Sequence, residues 1–220
     1  MNVSNNPLDD LSELSGPAEV FGTIASIDLT GSRLSEAGLI SLCRGIGRSE
    51  NPFECLILDR CLEDVRDEES DDREEISDRR AANSEIAKEI VKMCDSCPSL
   101  RALSFVGTFS ARSRWRHLLD LLSGLEKQSS LLELDISDHN LGDPLAFAIG
   151  RVFRHNSSLV AFHMDGCHIG DAGFRMIRAS LFDNTSLQVR PEDRLRVHLF
   201  PFFSFFPSLS LSSPHLISPF

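Results

Sequence analysis

The chain has 220 residues, 41% of them hydrophobic, with 22 Lys and Arg against 33 Asp and Glu and a net charge of −11. That length and apolar fraction hold one domain with a sizeable core, and the acidic balance argues against a general nucleic-acid binder: Arg112, Arg114 and Arg116 form only a small local cluster. Six scattered cysteines (Cys43, Cys55, Cys61, Cys94, Cys97 and Cys167), with no secretory signal, fit reduced thiols in a cytoplasmic protein.

Residues 1–23 are polar, broken by Pro7, Gly16 and Pro17, without the basic start and apolar centre of a signal peptide. They are expected to be disordered apart from a short N-terminal cap, in which Leu8, Leu11 and Leu14 make one amphipathic turn over the first strand. From Ile24 a frame recurs: an apolar residue, two residues, an apolar residue, one residue, another apolar residue. Copies open at Ile24, Phe53, Leu100, Leu131 and Leu159, in steps of 29, 47, 31 and 28 residues. The alternation sends the first, fourth and sixth positions into a core and those between outward. A strand so short needs a parallel neighbour on each side, and the spacing leaves room for a helix between strands.

The step of 47 is about 18 residues too long for this pattern. The surplus is the segment 63–80, with ten carboxylates, four arginines and, among apolar residues, Val65 and Ile76. It buries too little surface to offset its ordering entropy, so it is expected as an acidic insertion, mobile or partly helical, at the edge of the repeats. A docking element for a basic partner is the sharper alternative. Calcium is disfavoured, because no Asp-x-Asp-x-Asp-Gly loop with a closing Glu is present. A helix resumes over 81–93. Cys94-Asp-Ser-Cys97 has metal or redox spacing, but no second pair completes a four-ligand zinc site, and it reads as inert thiols at a helix end.

Residues 110–117 open the third helix, with Trp115 as half-buried packing. The fourth and fifth copies each lead into a helix, at Pro144–Phe153 and Asp171–Leu181, with apolar residues at three-to-four spacing. Pro144 suits a first helical turn and Asp143 is placed to cap it. His155-Asn-Ser-Ser and Asp183-Asn-Thr-Ser then occupy equivalent helix-ending loops. Leu187 opens a sixth copy that fails at Arg190 and Pro191. Residues 191–220 are expected to be a disordered low-complexity tail: from Leu199 onward, 20 of 22 residues are Phe, Ser, Leu or Pro, which pyrimidine-only codons encode. The expectation is translated non-coding sequence appended where a longer array was cut. Four prolines and six serines there make a poor spanning helix, so no membrane segment is expected.

Leu131-x-x-Leu134-Asp-Ile136-Ser-x-x-x-Leu141-Gly-Asp143, followed by a helix ending Asn156-Ser-Ser-Leu159, resembles a leucine-rich repeat of the ribonuclease-inhibitor type. The match spans residues 24–190. It implies an α/β fold, a right-handed horseshoe solenoid of about five repeats, with a parallel sheet on the concave face and helices on the convex one. Where that family carries Asn or Cys, this chain has Ser32, Cys61, Thr108, His139 and Cys167, a looser ladder from which weaker turns are expected.

No nucleophile elbow, phosphate-binding loop or His-Glu-x-x-His is present, so no catalytic residue, cofactor or metal ligand is assigned. His139, His163 and His168, with Asp135, Asp138 and Asp165, read as turn residues and a solvated strand face rather than an acid–base cluster. The concave wall implied by the resemblance carries Asp28, Asp59, Glu133, Asp135, His163 and Asp165 as candidate partner-binding residues, interleaved with Ile57 and Val106. Complementarity favours a protein partner, basic or mixed in charge. Asp28 and Asp135 also fit the ordinary grammar of the repeat. The leading expectation is a non-enzymatic protein-interaction module. The alternatives are a GTPase-activating or other regulatory repeat protein, or a fragment of a larger one of the CARMIL or immune-receptor kind. The repeat type is shared with Ran GTPase-activating proteins, whose active positions find no residue-by-residue match here.

Overall fold

The computed structural model describes residues 1–5, 7–8, 24–48, 52–61, 73–108, 117–182 and 184–187. In chain order the elements are β1 (Pro7–Leu8), β2 (Ser26–Asp28), β3 (Arg33–Leu34), α1 (Glu36–Arg48), β4 (Cys55–Ile57), α2 (Arg73–Ser96), β5 (Ala102–Ser104), α3 (Leu118–Leu125), β6 (Glu133–Asp135), α4 (Asp143–His155), β7 (Ala161–His163) and α5 (Asp171–Leu181). Strands β2, β4, β5, β6 and β7 form one parallel sheet whose spatial order is the chain order. Each helix packs on the next. The result is an α/β repeat solenoid, in which a unit meets only its neighbours.

The frame explains the core. The central residue of each strand (Ile27, Leu56, Leu103, Leu134 and Phe162) is at most 5% exposed, and the residues beside it are half-exposed. Sixth-position residues Leu29, Leu58, Phe105 and Ile136 are buried as well. The helices close this core with Leu39, Leu42 and Ile46 from α1, Ile86, Ile90 and Met93 from α2, and Leu145, Ile149 and Val152 from α4. At about 25 cal/mol per Å² of apolar surface removed from water, this continuous layer is the main force holding the stack together.

Residues 1–5 and 7–8 pair along the first unit, the former beside β2 and the latter in a two-stranded sheet of their own. The Val3 N–H donates to the Asp28 carbonyl (2.9 Å), the Asp28 N–H to the Met1 carbonyl (3.0 Å) and the Asn5 N–H to the Thr30 carbonyl (2.8 Å). Strand β1 then pairs in parallel with β3, Leu8 opposite Leu34. Met1, Val3 and Leu8 each stand 26 residues ahead of Ile27, Leu29 and Leu34, so the strand and turn of a further unit precede the first full copy of the frame. Polar neighbours hide this unit in the sequence.

Residues 73–80 of the acidic segment are helical, in line with the partly helical alternative, and α2 begins at Arg73 rather than at 81; residues 62–72 lie outside the described residues. One further detail differs from expectation. Asp143 does not cap α4. It is the first helical residue, the cap position falls on Gly142 at φ 63°, and the Asp143 carboxylate accepts the Gly170 N–H of the next unit at 2.8 Å. Pro144 does sit in the first turn, where its missing N–H costs nothing. Residues 9–23, Trp115 and the tail from residue 188 lie outside the described residues.

Candidate functional site

The strand register assembles the outward side chains into three rows. The first holds Ser26, Cys55, Ala102, Glu133 and Ala161, and the second Asp28, Ile57, Ser104, Asp135 and His163. Two residues further on, Thr30, Asp59, Val106, Ser137 and Asp165 make the third. All six candidate residues therefore stand on one sheet face, and each is half-exposed. These fifteen positions contain five carboxylates and neither lysine nor arginine.

Several carboxylates hold the turns that follow the strands. Asp28 accepts the Thr30 N–H (2.9 Å) on one oxygen and the Asn2 amide (2.7 Å) on the other. One Asp59 oxygen accepts both the Ser104 hydroxyl (2.6 Å) and the Val106 N–H (3.0 Å), joining two units. Asp135 accepts the Ser137 N–H at 2.9 Å, and the Ser137 hydroxyl takes the Asp165 N–H at 3.1 Å. His163 Nε2 lies 3.3 Å from the Glu133 carboxylate across the strands.

The three histidines that sequence places in adjacent repeats are divided by the fold. His163 is on the sheet face, His168 is exposed at φ 56°, and His139 is buried at 3% exposure. His139 Nε2 lies 2.7 Å from the Phe105 carbonyl, which makes it the protonated nitrogen, and the ring stacks on Phe105. Burial pushes its pKa below the ordinary value, against smaller opposing effects of the Phe105 bond and of Asp138 and Asp135. Cys61 donates to the Leu29 carbonyl (2.9 Å), Cys167 to the Ile136 carbonyl (3.2 Å) and Ser32 to the Val3 carbonyl (3.0 Å). The ladder is loose in composition, yet at these four positions it closes on the carbonyl of the preceding unit. Burial raises the Cys61 and Cys167 thiols to about 12, so these sulfurs are donors and not nucleophiles.

A second ladder runs along the loops before the strands. Asn156 donates to the Leu125 (3.1 Å) and Gln128 (2.9 Å) carbonyls and accepts the Ser158 and Leu159 N–H groups. Gln128 and Asn184 repeat this arrangement on either side. Cys97 takes the same place one unit earlier, its thiol reaching the Phe53 carbonyl. Cys94 and Cys97 are both buried, and burial raises the Cys94 thiol. Among the described residues no group of His, Cys, Asp and Glu is arranged to hold a metal ion, and no helix is long and apolar enough to cross a membrane.

Comparison with known proteins accords with this geometry. A family model described as "Leucine Rich repeat" matches residues 127–149 and 155–177, the two units with the tightest frame. The chain is 26% identical over 176 residues to the Rho GTPase-activating protein gacW of Dictyostelium discoideum; this covers 80% of the chain and 14% of the relative, so it spans a small part of that protein's length. In fold it is similar to the C-terminal domain of tropomodulin from Caenorhabditis elegans, with a TM-score of 0.52 and 17% identity over 80% of this chain and 93% of that one.

Proposed function

The chain is a leucine-rich-repeat protein, and from that premise we propose that it is a non-enzymatic protein-interaction module, built of ribonuclease-inhibitor-type repeats, that works in the cytoplasm and binds its partner on the concave sheet face. The observation that carries the reading is the sheet face itself: fifteen outward positions in register, five of them carboxylates, with all but Ser137 half-exposed. Such a surface is rigid because every strand is hydrogen-bonded to its neighbours, and a pre-ordered surface lowers the entropy lost on association. Asp28, Asp59, Glu133, Asp135, His163 and Asp165 are the proposed contacts. Nucleic acid is disfavoured by the same charge.

The test places a bulky side chain on the face, at its central strand or at its β7 edge. Ala102→Arg or Ala161→Arg abolishes capture of the partner, while Phe147→Ser on the exposed side of α4 leaves it intact. Capture insensitive to the arginines and lost with Phe147→Ser would move the site to the helices. A second reading follows from the similarity to a Rho GTPase-activating protein: the module acts beside a GTPase domain or its regulator. Stimulated GTP hydrolysis by a Rho-type GTPase, measured with the purified chain alone, would favour catalysis over scaffolding.

A further inference from the structure

We propose that the binding end of this face is its β6–β7 half, and that its occupant is a basic amphipathic segment of a partner protein. The inference rests on the concave-face reading above. At the β2–β4 end the fold itself engages the charges: Asp28 has a donor on each oxygen, and Asp59 has two on one. At the β6–β7 end Asp135 is likewise held, by the Ser137 N–H, and Glu133 faces His163 Nε2 at 3.3 Å, but Glu133 still keeps 47% of its side chain exposed, with Asp165 on the neighbouring strand's continuation. The neighbours of Glu133 in its row are Ala102 and Ala161, while Asp135 stands between Ser104 and His163, so small side chains leave room above the sheet on the Ala102–Ser104 side of these carboxylates and His163 borders the other.

An apolar step adjoins the charge. Leu132 (37% exposed) and Val160 (45% exposed) stand at the entrances of β6 and β7, one residue ahead of Glu133 and Ala161. The Val160 N–H donates to the Leu132 carbonyl at 2.8 Å, which holds the two side by side. Exposed aliphatic pairs beside a carboxylate-rich surface suit a segment that carries aliphatic side chains next to lysine or arginine. Charge sets the encounter rate and the selectivity, and aliphatic burial slows release. No lysine or arginine among the fifteen positions competes for the carboxylates; His163, against Glu133, is the one basic side chain there.

Fluorescence anisotropy on the full chain tests this with three fluorescein-labelled synthetic peptides, of alternating leucine and lysine, leucine and glutamate, and serine and lysine. The leucine–lysine peptide binds tightest, and its affinity falls as salt rises. Glu133→Lys weakens it by about ten-fold, Glu133→Gln by less, and Leu132→Ser with Val160→Ser by several-fold without changing the salt dependence. Circular dichroism confirms that each variant folds. Equal binding of the leucine–glutamate peptide, or unchanged binding to the Glu133→Lys variant, overturns the proposal; the latter points to the acidic insertion instead. Where none of the peptides binds but Ala102→Arg still blocks partner capture, the basic-segment inference falls and the concave-face reading stands.

Discussion

His139 occupies the ladder position with a ring far larger than the cysteine of the next unit, and a glycine makes room for it. A Cβ on Gly107 would stand 2.5 Å from the Asp138 carbonyl oxygen and 3.1 Å from His139 Nδ1. Gly107→Ala is therefore expected to cost about 1–3 kcal/mol, read from a urea melt. With Nε2 donating to Phe105, the buried Nδ1 has no partner among the described residues, and protonating it would place a charge in the core. The native pKa lies below the ordinary 6.5. The unfolded chain thus takes up its proton first as pH falls. Stability is full above 6.5 and is lost as the pH drops from there toward the native pKa. Urea midpoints at about pH 7.5 and about pH 5.5 should differ more in the native chain than in His139→Asn, which keeps an amide donor for Phe105. Equal losses would remove the imidazole from the account. The sequence marked position 139 as a ladder site; the compensation by Gly107, in the preceding unit, became visible only when the units were stacked.

Among the elements, the amide ladder is the clearest case of a loop acting as structure. Asn156 satisfies two N–H groups of its own turn and two carbonyls of the unit before it. Its replacement by alanine leaves buried backbone groups unpaired and is expected to cost about 2–4 kcal/mol. Asn156→Asp keeps the acceptor oxygen but turns it against the Leu125 and Gln128 carbonyls, so it should destabilise comparably. A cost under about 0.5 kcal/mol in both would show that water replaces the ladder. The spacing of Asn156 and Asn184 marked these residues as helix-ending loops, and Gln128 was not singled out, because a glutamine does not resemble an asparagine turn on paper. The start of α2 was hidden for the opposite reason. Its charges match the composition of unstructured chain, and no apolar stripe announces residues 73–80 as helix.

For the molecule as a whole, nearest-neighbour stacking makes the cost of a substitution depend on how many sides of a residue are covered. Leu103 lies in the central strand at 1% exposure, while Met164, beyond the last strand, is half-buried. Leu103→Ala should lower unfolding free energy by about 2–5 kcal/mol and Met164→Ala by less than half of that. Similar costs at both would mean that the far flank is covered as well as the middle. At the other end, removal of residues 1–8 strips the hydrogen-bond partners of Asp28, Thr30 and Ser32 and uncovers the edge of β2. Thermal unfolding should then shift to lower temperature, with the first unit losing amide protection before the rest.

The sequence by itself determined the strand positions, the period, the inward residues and hence the α/β repeat solenoid, because strand alternation and repeat spacing are local properties that each copy states independently. It also determined which carboxylates share a face, since parity along a strand decides that before any packing. Only the tertiary structure decided which carboxylates are bound up in turns, which thiols and imidazole are sealed between units, and that Met1–Asn5 and Pro7–Leu8 pair along the first unit. Those outcomes depend on contacts between residues some 26 to 47 positions apart, and no short window of the chain contains both partners.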